Sequence, residues 1–284
     1  MKIKEVFSSY VVARTRHGAS SMWRAQSAWK KLAPTFGERS PETITTNDLY
    51  DYLDKRVWED GVSRSTVTLS DFAFLRAAMY YGSRTLGLNY IVPTFPDVVR
   101  ATPRSRILTH DEVSRIAEGA EGYMKTFVYL AIFTAGRHRA LLELTWERVD
   151  LKRGIIFLNN PELWGRRKPR ATVKISKILH DYLSGLVPVG PWVIEDTHGN
   201  RFKSLRHGFD ALLKRVGVEK SSPHVLRHTA AAHMAMRNVP MYEISKFLGH
   251  KSIQVTQEVY ATFVPDFQRQ STNALDNFFY GEAV

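Results

Sequence analysis

Four residues in the last quarter of the chain carry side chains suited to phosphoryl transfer. His224 and Arg227 lie three positions apart in the sequence Pro-His-Val-Leu-Arg-His, and His250 and Tyr260 follow. A phenol can attack a phosphodiester, a guanidinium can hold the phosphate oxygens, and an imidazole can move protons. Together these residue types predict attack by a tyrosine oxygen on a phosphodiester.

A helix must present the first two of these residues. Ser222 is a favourable N-cap and Pro223 suits the first helical position, so we predict a helix that runs from here through Met236. Residues three positions apart share one face of a helix. The prediction therefore places His224 and Arg227 side by side.

A second helix, a turn and a third helix must supply the other two residues. We predict a helix over Met241–Leu248 that ends at Gly249, because glycine readily takes the left-handed conformation found at helix C-termini. A turn then delivers His250, and the amphipathic run 252–261 carries Tyr260 near its end. Each residue taken singly could be an ordinary part of a helix or turn, whereas the ordered set favours a shared site.

These motifs resemble the C-terminal signature of the tyrosine recombinases, the phage integrase family. The matching features are His-x-Leu-Arg-His, Leu-Gly-His, and a tyrosine ten residues after the second motif's histidine. Upstream, Arg137 follows Thr-Ala-Gly and resembles the family's first box, usually Thr-Gly-x-Arg-x-x-Glu. Gly136 is displaced by one position, and Ala140 stands where an acidic residue usually braces the arginine. Arg139 is the alternative to Arg137.

A hairpin between two predicted strands, 154–159 and 170–175, matches another family feature. In this family a lysine on such a hairpin reaches the minor groove and protonates the leaving oxygen. Lys168 is the lysine of this connection and is the residue that the resemblance favours. Lys174 is the alternative, although strand alternation directs it to the face opposite Val173.

The resemblance implies roles for the residues that surround the phosphate. Tyr260 would attack the scissile phosphodiester and become joined to the 3′-phosphate, which frees a 5′-hydroxyl. Arg137 and Arg227 would bind the non-bridging oxygens, and His250 would donate a further hydrogen bond. The covalent bond stores the energy of the broken one, so the family mechanism requires no nucleotide cofactor.

The resemblance also implies how protons move. His224 would take or relay the tyrosine proton, and Lys168 would give one to the departing 5′-oxygen. His228 is expected to support the fold or the site. The sequence contains neither clustered carboxylates for a two-metal site nor a phosphate loop, so we expect no metal and no cofactor.

Composition agrees with a nucleic-acid partner. The 284 residues include 40 Lys plus Arg against 28 Asp plus Glu, which gives a net charge of +12. Such a balance favours a polyanion, and the resemblance implies duplex DNA with specific recombination sites. The absence of cysteine excludes disulfides and thiolate sites, and the sequence has no apolar run of about 18 residues. We expect a cytoplasmic, nucleoid-associated protein without a membrane partner.

We expect a mainly α fold with a small antiparallel β-sheet, divided into two domains. Residues 1–103 read as a helical core-type DNA-binding domain, in which Pro34 should end the helix that begins at Met22. A proline-spaced basic linker leads to a capping box at Thr109. Residues 104–284 would form the α+β tyrosine-recombinase catalytic domain with a C-terminal tail.

Basic residues near helix starts and in the linker are candidate DNA contacts. Helix N-termini present backbone N–H groups to phosphates, although each candidate could equally be a cap or a solvated surface residue. The apolar tail after Tyr260 either packs on its own domain or docks on a neighbouring protomer, as family tails do. The candidate DNA contacts are Arg64, Ser65, Arg104, Arg106 and Arg206.

The functional expectation is a site-specific DNA recombinase, an integrase of a phage or other mobile element. Alternatives are a Xer-like or transposon resolvase, a type IB topoisomerase, and a catalytically silent DNA-binding accessory protein. Synapsis in this family implies a homotetramer on DNA, and a host architectural protein or an excision factor is a further candidate partner. Without an arm-site-binding module in this sequence, we expect recognition of core sites only or a truncated chain.

Overall fold

The computed structural model describes residues 1–19, 22–98, 106–160, 170–264 and 269–280. The chain divides into two compact units, Met1–Thr102 and Pro103–Val284. Two predicted site residues, Lys168 and Arg104, lie outside the described residues. Within the described ranges, no helix is long and apolar enough to cross a membrane.

The first unit is helical and surrounds its own apolar core. Wider π turns at Lys55–Glu59 and Val67–Asp71 follow α3 and α4, and the second of these turns joins α4 to α5 in one continuous helical run. Its helices are α1 (Ile3–Arg16), α2 (Met22–Phe36), α3 (Thr46–Asp54), α4 (Arg64–Thr66) and α5 (Phe72–Arg84).

Helix α2 continues past Pro34, so the predicted helix end at that residue is wrong. Proline removes one backbone hydrogen bond within a helix, which costs about 3 kcal/mol or more in an exposed helix interior. The continuation buries Phe36 completely in the core of the unit. Burial of such an aromatic side chain contributes about 1.5–3 kcal/mol, which offsets much of that cost.

The second unit contains the remaining helices, a larger apolar core and a separate, smaller apolar cluster. The predicted capping box opens α6, since the Thr109 hydroxyl accepts from the Glu112 N–H and the Glu112 carboxylate accepts from the Thr109 N–H. The helices are α6 (His110–Gly119), α7 (Gly122–Thr134), α8 (His138–Leu142), α9 (Lys177–Ser184), α10 (Arg206–Arg215), α11 (Val225–Met236), α12 (Met241–Leu248), α13 (Gln254–Tyr260) and α14 (Arg269–Tyr280).

A small antiparallel sheet lies against this core. Its strands are β1 (Val149–Asp150), β2 (Ile155–Phe157) and β3 (Thr172–Lys174), in the order β1-β2-β3. Ile156 and Val173 are paired in register and both are buried, whereas Lys174 is exposed. The mainly helical fold with a small antiparallel sheet is therefore as predicted, although the strands are shorter than the predicted ones and β1 was not predicted.

Candidate active site

The helix that carries Arg227 begins later than predicted. A turn comes first, in which the Val225 N–H donates to the Ser222 carbonyl over 2.9 Å, and the regular helix α11 starts at Val225 with His224 as its N-cap residue. The first helical hydrogen bond from this residue joins the His228 N–H to the His224 carbonyl at 3.2 Å. His224 therefore lies at the exposed end of α11, while Arg227 points inward.

Arg227 is only 4% exposed and is held by neutral partners. Its Nη1 donates to the Ala135 carbonyl at 2.7 Å, and its Nη2 donates to the Leu248 carbonyl at 2.9 Å and lies 3.0 Å from His250 Nε2. Burial, followed by the nearby charge of Arg137, lowers the pKa of Arg227 to about 10. The guanidinium remains protonated at neutral pH, and these partners leave its positive charge available to an anion.

The backbone of Ala135 takes the conformation expected of the glycine in the first box. Its backbone is left-handed, with φ of 46°, although it is not glycine, and it is fully buried. This position lies two residues before Arg137, where the resembled motif has its glycine. Gly136 has close side-chain neighbours instead, since a Cβ there would lie 2.4 Å from Leu141 Cδ2. The left-handed conformation directs the Ala135 carbonyl to Arg227, whose Nη1 donates to it at 2.7 Å.

Arg137 and the turn after α12 form the second part of the site. Gly249 has φ of 64° and ends α12, as predicted. Its carbonyl accepts from Arg137 Nη1 at 3.5 Å. Burial and the charge of Arg170 lower the pKa of Arg137. Arg139 instead directs a 73% exposed side chain to Glu143, so the structure brings Arg137, the favoured candidate, to Arg227.

His250 is fixed from both sides of its ring. Its Nε2 lies 3.0 Å from Arg227 Nη2 and its Nδ1 lies 2.8 Å from the Thr256 hydroxyl. Because a guanidinium only donates hydrogen bonds, Nε2 must accept and Nδ1 carries the proton. Thr256 is fully buried on α13, and sequence reasoning did not identify it as a support for the site.

Tyr260 is 2% exposed, and its partner differs from the one expected. The phenolic oxygen lies 2.8 Å from His228 Nδ1. Burial raises the pKa of Tyr260 to about 12, against the opposing effect of the Arg227 charge. Burial and the same charge lower the pKa of His228, so this imidazole is neutral at physiological pH and can accept the phenolic proton.

His224 contacts the ring of His228. The two imidazoles meet edge to face, with ring centroids 4.7 Å apart. Loss of solvent, followed by the charges of His228 and Arg227, lowers the pKa of His224 to about 4, although the exposed edge of the ring lets water screen part of this effect. The role expected of His224, to take or relay the phenolic proton, stays a prediction. The imidazole in contact with the phenol is that of His228, which sequence reasoning left without a defined role.

The candidate DNA contacts lie in different settings. Arg64 is exposed in the first turn of α4, where the Ser63 hydroxyl lies 3.2 Å from that of Ser65. Arg206 is exposed at the start of α10. Arg106 is engaged within its own unit, since its Nη2 contacts the Glu112 carboxylate at 2.5 Å. In the described part of the chain, no three His, Cys, Asp or Glu side chains cluster closely enough to hold a metal ion.

A sequence profile described as the phage integrase family matches residues 106–264. The chain belongs to this family. Among related proteins, the tyrosine recombinase XerC-like protein of Caldanaerobacter subterraneus subsp. tengcongensis is 25% identical over 224 residues, which cover 63% of this chain and 56% of the relative. The chain thus spans about half the length of the curated relatives that it matches.

Solved integrase structures share the fold. The Tn1549 transposon integrase in complex with transposon right end DNA superposes with a TM-score of 0.77 at 18% identity, over 97% of this chain and all of the other. A lambda integrase tetramer bound to a Holliday junction gives 0.73 at 18% identity, over 95% of this chain and 79% of the other. Both units of this integrase-family chain therefore have counterparts in known integrase structures.

Proposed function

We propose that this integrase-family protein is a site-specific DNA recombinase that cuts and rejoins DNA through a covalent bond between Tyr260 and a 3′-phosphate. The observation that carries the proposal is the position of Arg227, buried without a carboxylate partner among the described residues and in contact with His250. Tyr260 lies close enough for the charge of Arg227 to act on its pKa.

The two arginines are better suited to a phosphate than to the free protein. The charge of Arg137 lowers the pKa of Arg227, which means that the two guanidinium groups repel each other. Like charges a few ångströms apart at low dielectric cost free energy, and an anion between them reverses the sign. A phosphate with two non-bridging oxygens satisfies both donors, and the negative charge that builds up during attack strengthens the interaction.

In the proposed reaction, the bond that forms at phosphorus is matched by the bond that breaks. The Tyr260 oxygen forms a bond to phosphorus as the bond to the 5′-oxygen breaks. The phenolic proton passes to His228, the imidazole in contact with it, and His224 packs edge to face against that ring. Lys168 gives a proton to the departing 5′-oxygen, in the role that the family resemblance assigns to it. Attack by a partner strand's 5′-hydroxyl reverses these steps and needs no metal.

DNA recognition uses both units in this proposal. Residues 1–103 act as the core-type DNA-binding domain and residues 104–284 as the catalytic domain. The net charge of +12 favours salt-dependent binding to any duplex. Phosphate contacts come from Arg64, Ser65, Arg104, Arg106 and Arg206.

Assembly on DNA is a homotetramer at synapsis, with a host architectural protein or excision factor as an additional partner. Helix α14 supports a role in assembly because it leaves apolar side chains in solvent. These exposed residues are Leu275, Phe278, Phe279 and Tyr280. Among family functions we favour integration and excision of a phage or other mobile element, carried out in the cytoplasm at the nucleoid.

The test incubates wild type, Tyr260→Phe and Tyr242→Phe with supercoiled DNA in EDTA. Tyr242 is the matched control because it is a tyrosine 63% exposed on α12. We expect SDS-resistant protein–DNA adducts and relaxed plasmid from wild type and Tyr242→Phe, and neither from Tyr260→Phe. Adducts from Tyr260→Phe would assign the nucleophile elsewhere.

A second step separates recombination from simple relaxation. Sequencing the DNA in wild-type adducts gives the break site, and two copies of that site are then placed on one plasmid. Recombinant products identify a recombinase. Relaxation without recombinants would identify a topoisomerase, and DNA binding without adducts would identify an accessory protein.

A further inference from the structure

Glu143 and Arg170 form a buried ion pair beside the proposed phosphate site. Arg170 Nη2 donates to Glu143 Oε2 at 2.7 Å, and only 8% and 7% of the two side chains are exposed. The other oxygen of Glu143, Oε1, accepts a hydrogen bond from Arg139 Nε at 3.0 Å. A buried charge pair with this geometry fixes the orientation of the guanidinium.

The backbone of Arg170 lies against the same turn that holds the other two arginines. Arg227 donates to the carbonyl of Leu248, and Arg137 donates to that of Gly249. A Cβ on Gly249 would lie 2.7 Å from the Ala171 nitrogen and 2.9 Å from the Arg170 carbonyl carbon. Three arginines are therefore gathered around one dipeptide, from parts of the chain far apart in sequence.

One donor group of Arg170 has no acceptor. Its Nη1 is buried and makes no hydrogen bond to any described residue, while Nη2 is occupied by Glu143. Leaving a buried donor of a charged group unpaired is unfavourable by about 1–3 kcal/mol or more, so such groups are rare in folded proteins. A ligand oxygen would supply the missing acceptor.

The charge balance also points to an anionic ligand. The positive charge of Arg170 lowers the pKa of Arg137, so the two guanidinium groups lie close enough to repel each other. Glu143 neutralises part of this charge through Nη2 and leaves Nη1 without an acceptor among the described residues. Ala140, where the family usually has an acidic residue, cannot do so. Glu143, three residues later in the sequence, supplies a carboxylate to Arg170.

We propose that Arg170 is a third phosphate-binding arginine, whose Nη1 donates to a non-bridging oxygen of the scissile phosphate, and that Glu143 is the carboxylate that positions Arg170. This inference rests on the proposed function, because it needs a phosphodiester in the site. It adds one residue that contacts the phosphate and one that acts through Arg170.

The test compares two duplexes that carry the break site recovered from wild-type adducts. One has an ordinary scissile phosphate, and the other has a methylphosphonate there, in which a methyl group replaces one non-bridging oxygen and the negative charge is lost. The variant is Arg170→Lys, because a lysine retains the charge that faces Glu143 but cannot donate to both groups in the fork geometry of arginine. Arg201→Gln is the matched control, since Arg201 lies 3.9 Å from the same carboxylate.

We expect Arg170→Lys to lower the cleavage rate about 100-fold on the phosphate duplex, the usual effect of losing one preorganised donor. On the methylphosphonate duplex the loss should be much smaller, because the charge that Arg170 neutralises is absent. Arg201→Gln should cleave both duplexes at wild-type rates. The ratio of the two rates is measured within one preparation, so a partly unfolded variant still gives a valid result.

Other outcomes overturn the inference in distinguishable ways. If Arg170→Lys lowered the cleavage rate equally on the two duplexes, Arg170 would have a structural role only. If Arg170→Lys cleaved at wild-type rates, Arg170 would have no role in the site. In both cases wild type still cleaves, so the proposed function stands. No adduct from wild type on any DNA would instead refute the proposed function, and this inference with it.

Discussion

The Nδ1 atom of His228 lies 2.8 Å from the phenolic oxygen of Tyr260. His224, which the sequence motif favours as the proton acceptor, contacts the ring of His228 instead. Helix α11 thus presents two successive imidazoles, an inner one on the phenol and an outer one at the exposed end of the helix. A proton that leaves Tyr260 meets His228 first.

Replacing His228 with phenylalanine keeps a ring in place and removes the nitrogen that contacts the phenol. We expect adduct formation to slow by about 10²–10⁴-fold, the range for loss of a general base. Stability should fall by about 1–3 kcal/mol, because the buried hydroxyl of Tyr260 loses its partner. The control is chemical denaturation of a protein that already carries Tyr260→Phe. In that protein, His228→Phe should lower the free energy of unfolding by a smaller amount. Wild-type cleavage by His228→Phe would exclude a role in proton transfer.

Arg137 and Arg139 are the two candidates for the first-box arginine, and the structure separates them. Arg137→Ala removes a guanidinium that would donate to the phosphate beside Arg227, so we expect a loss of about 10²–10³-fold in adduct formation. Arg139→Ala removes a largely exposed side chain and should stay near wild type. SDS gels of both variants with the same plasmid give the comparison. The reverse order of activities would transfer the role to Arg139.

Strain at Ala135 gives a prediction about stability. A left-handed alanine costs about 1–2 kcal/mol, and glycine takes this conformation freely. We therefore expect Ala135→Gly to raise the free energy of unfolding by up to about 1 kcal/mol, after allowing for the flexibility that glycine adds to the unfolded chain. Ala140→Gly is the control, because Ala140 is buried in helix α8, and it should lower stability by about 1 kcal/mol. Denaturant titration measures both, and a less stable Ala135→Gly would contradict the strain.

The buried phenol also predicts a dependence of stability on pH. The pKa of Tyr260 rises from 10.0 to about 12 on folding, so the folded state holds this proton more tightly than the unfolded state. The resulting stabilisation is complete below the unfolded value of 10.0 and is lost as pH rises towards about 12. The difference in unfolding free energy between wild type and Tyr260→Phe should shrink over this range. A constant difference would mean that the phenol is not desolvated.

Local sequence signals predicted those parts of the fold that depend on nearby residues. Helix α12 has its predicted bounds, and Gly249 has the left-handed backbone expected of it. The capping box at Thr109 also forms as predicted. Each of these depends on residues within a few positions, where propensity and hydrogen-bonding chemistry decide the structure.

Tertiary contacts could not be predicted in the same way. The contact of His228 with Tyr260 spans 32 positions, and that of Arg170 with Glu143 spans 27. Both depend on how separate elements pack. Pro34 shows the same limit, because burial of Phe36 overrides a local signal for a helix end. Alanine itself does not indicate a left-handed backbone, and the contact of the Ala135 carbonyl with Arg227 spans 92 positions.

The backbone at position 249 restricts which amino acids the turn after α12 can contain. Any side chain there meets both a left-handed backbone and the main chain of Arg170 and Ala171, which a rotamer change cannot avoid. Asn238 has a similar backbone, with φ of 58°, but it is exposed. In a saturation library selected for recombination, position 249 should therefore return glycine only, whereas position 238 should return asparagine, glycine and aspartate. The two left-handed turns that flank α12 would thus evolve under very different constraints.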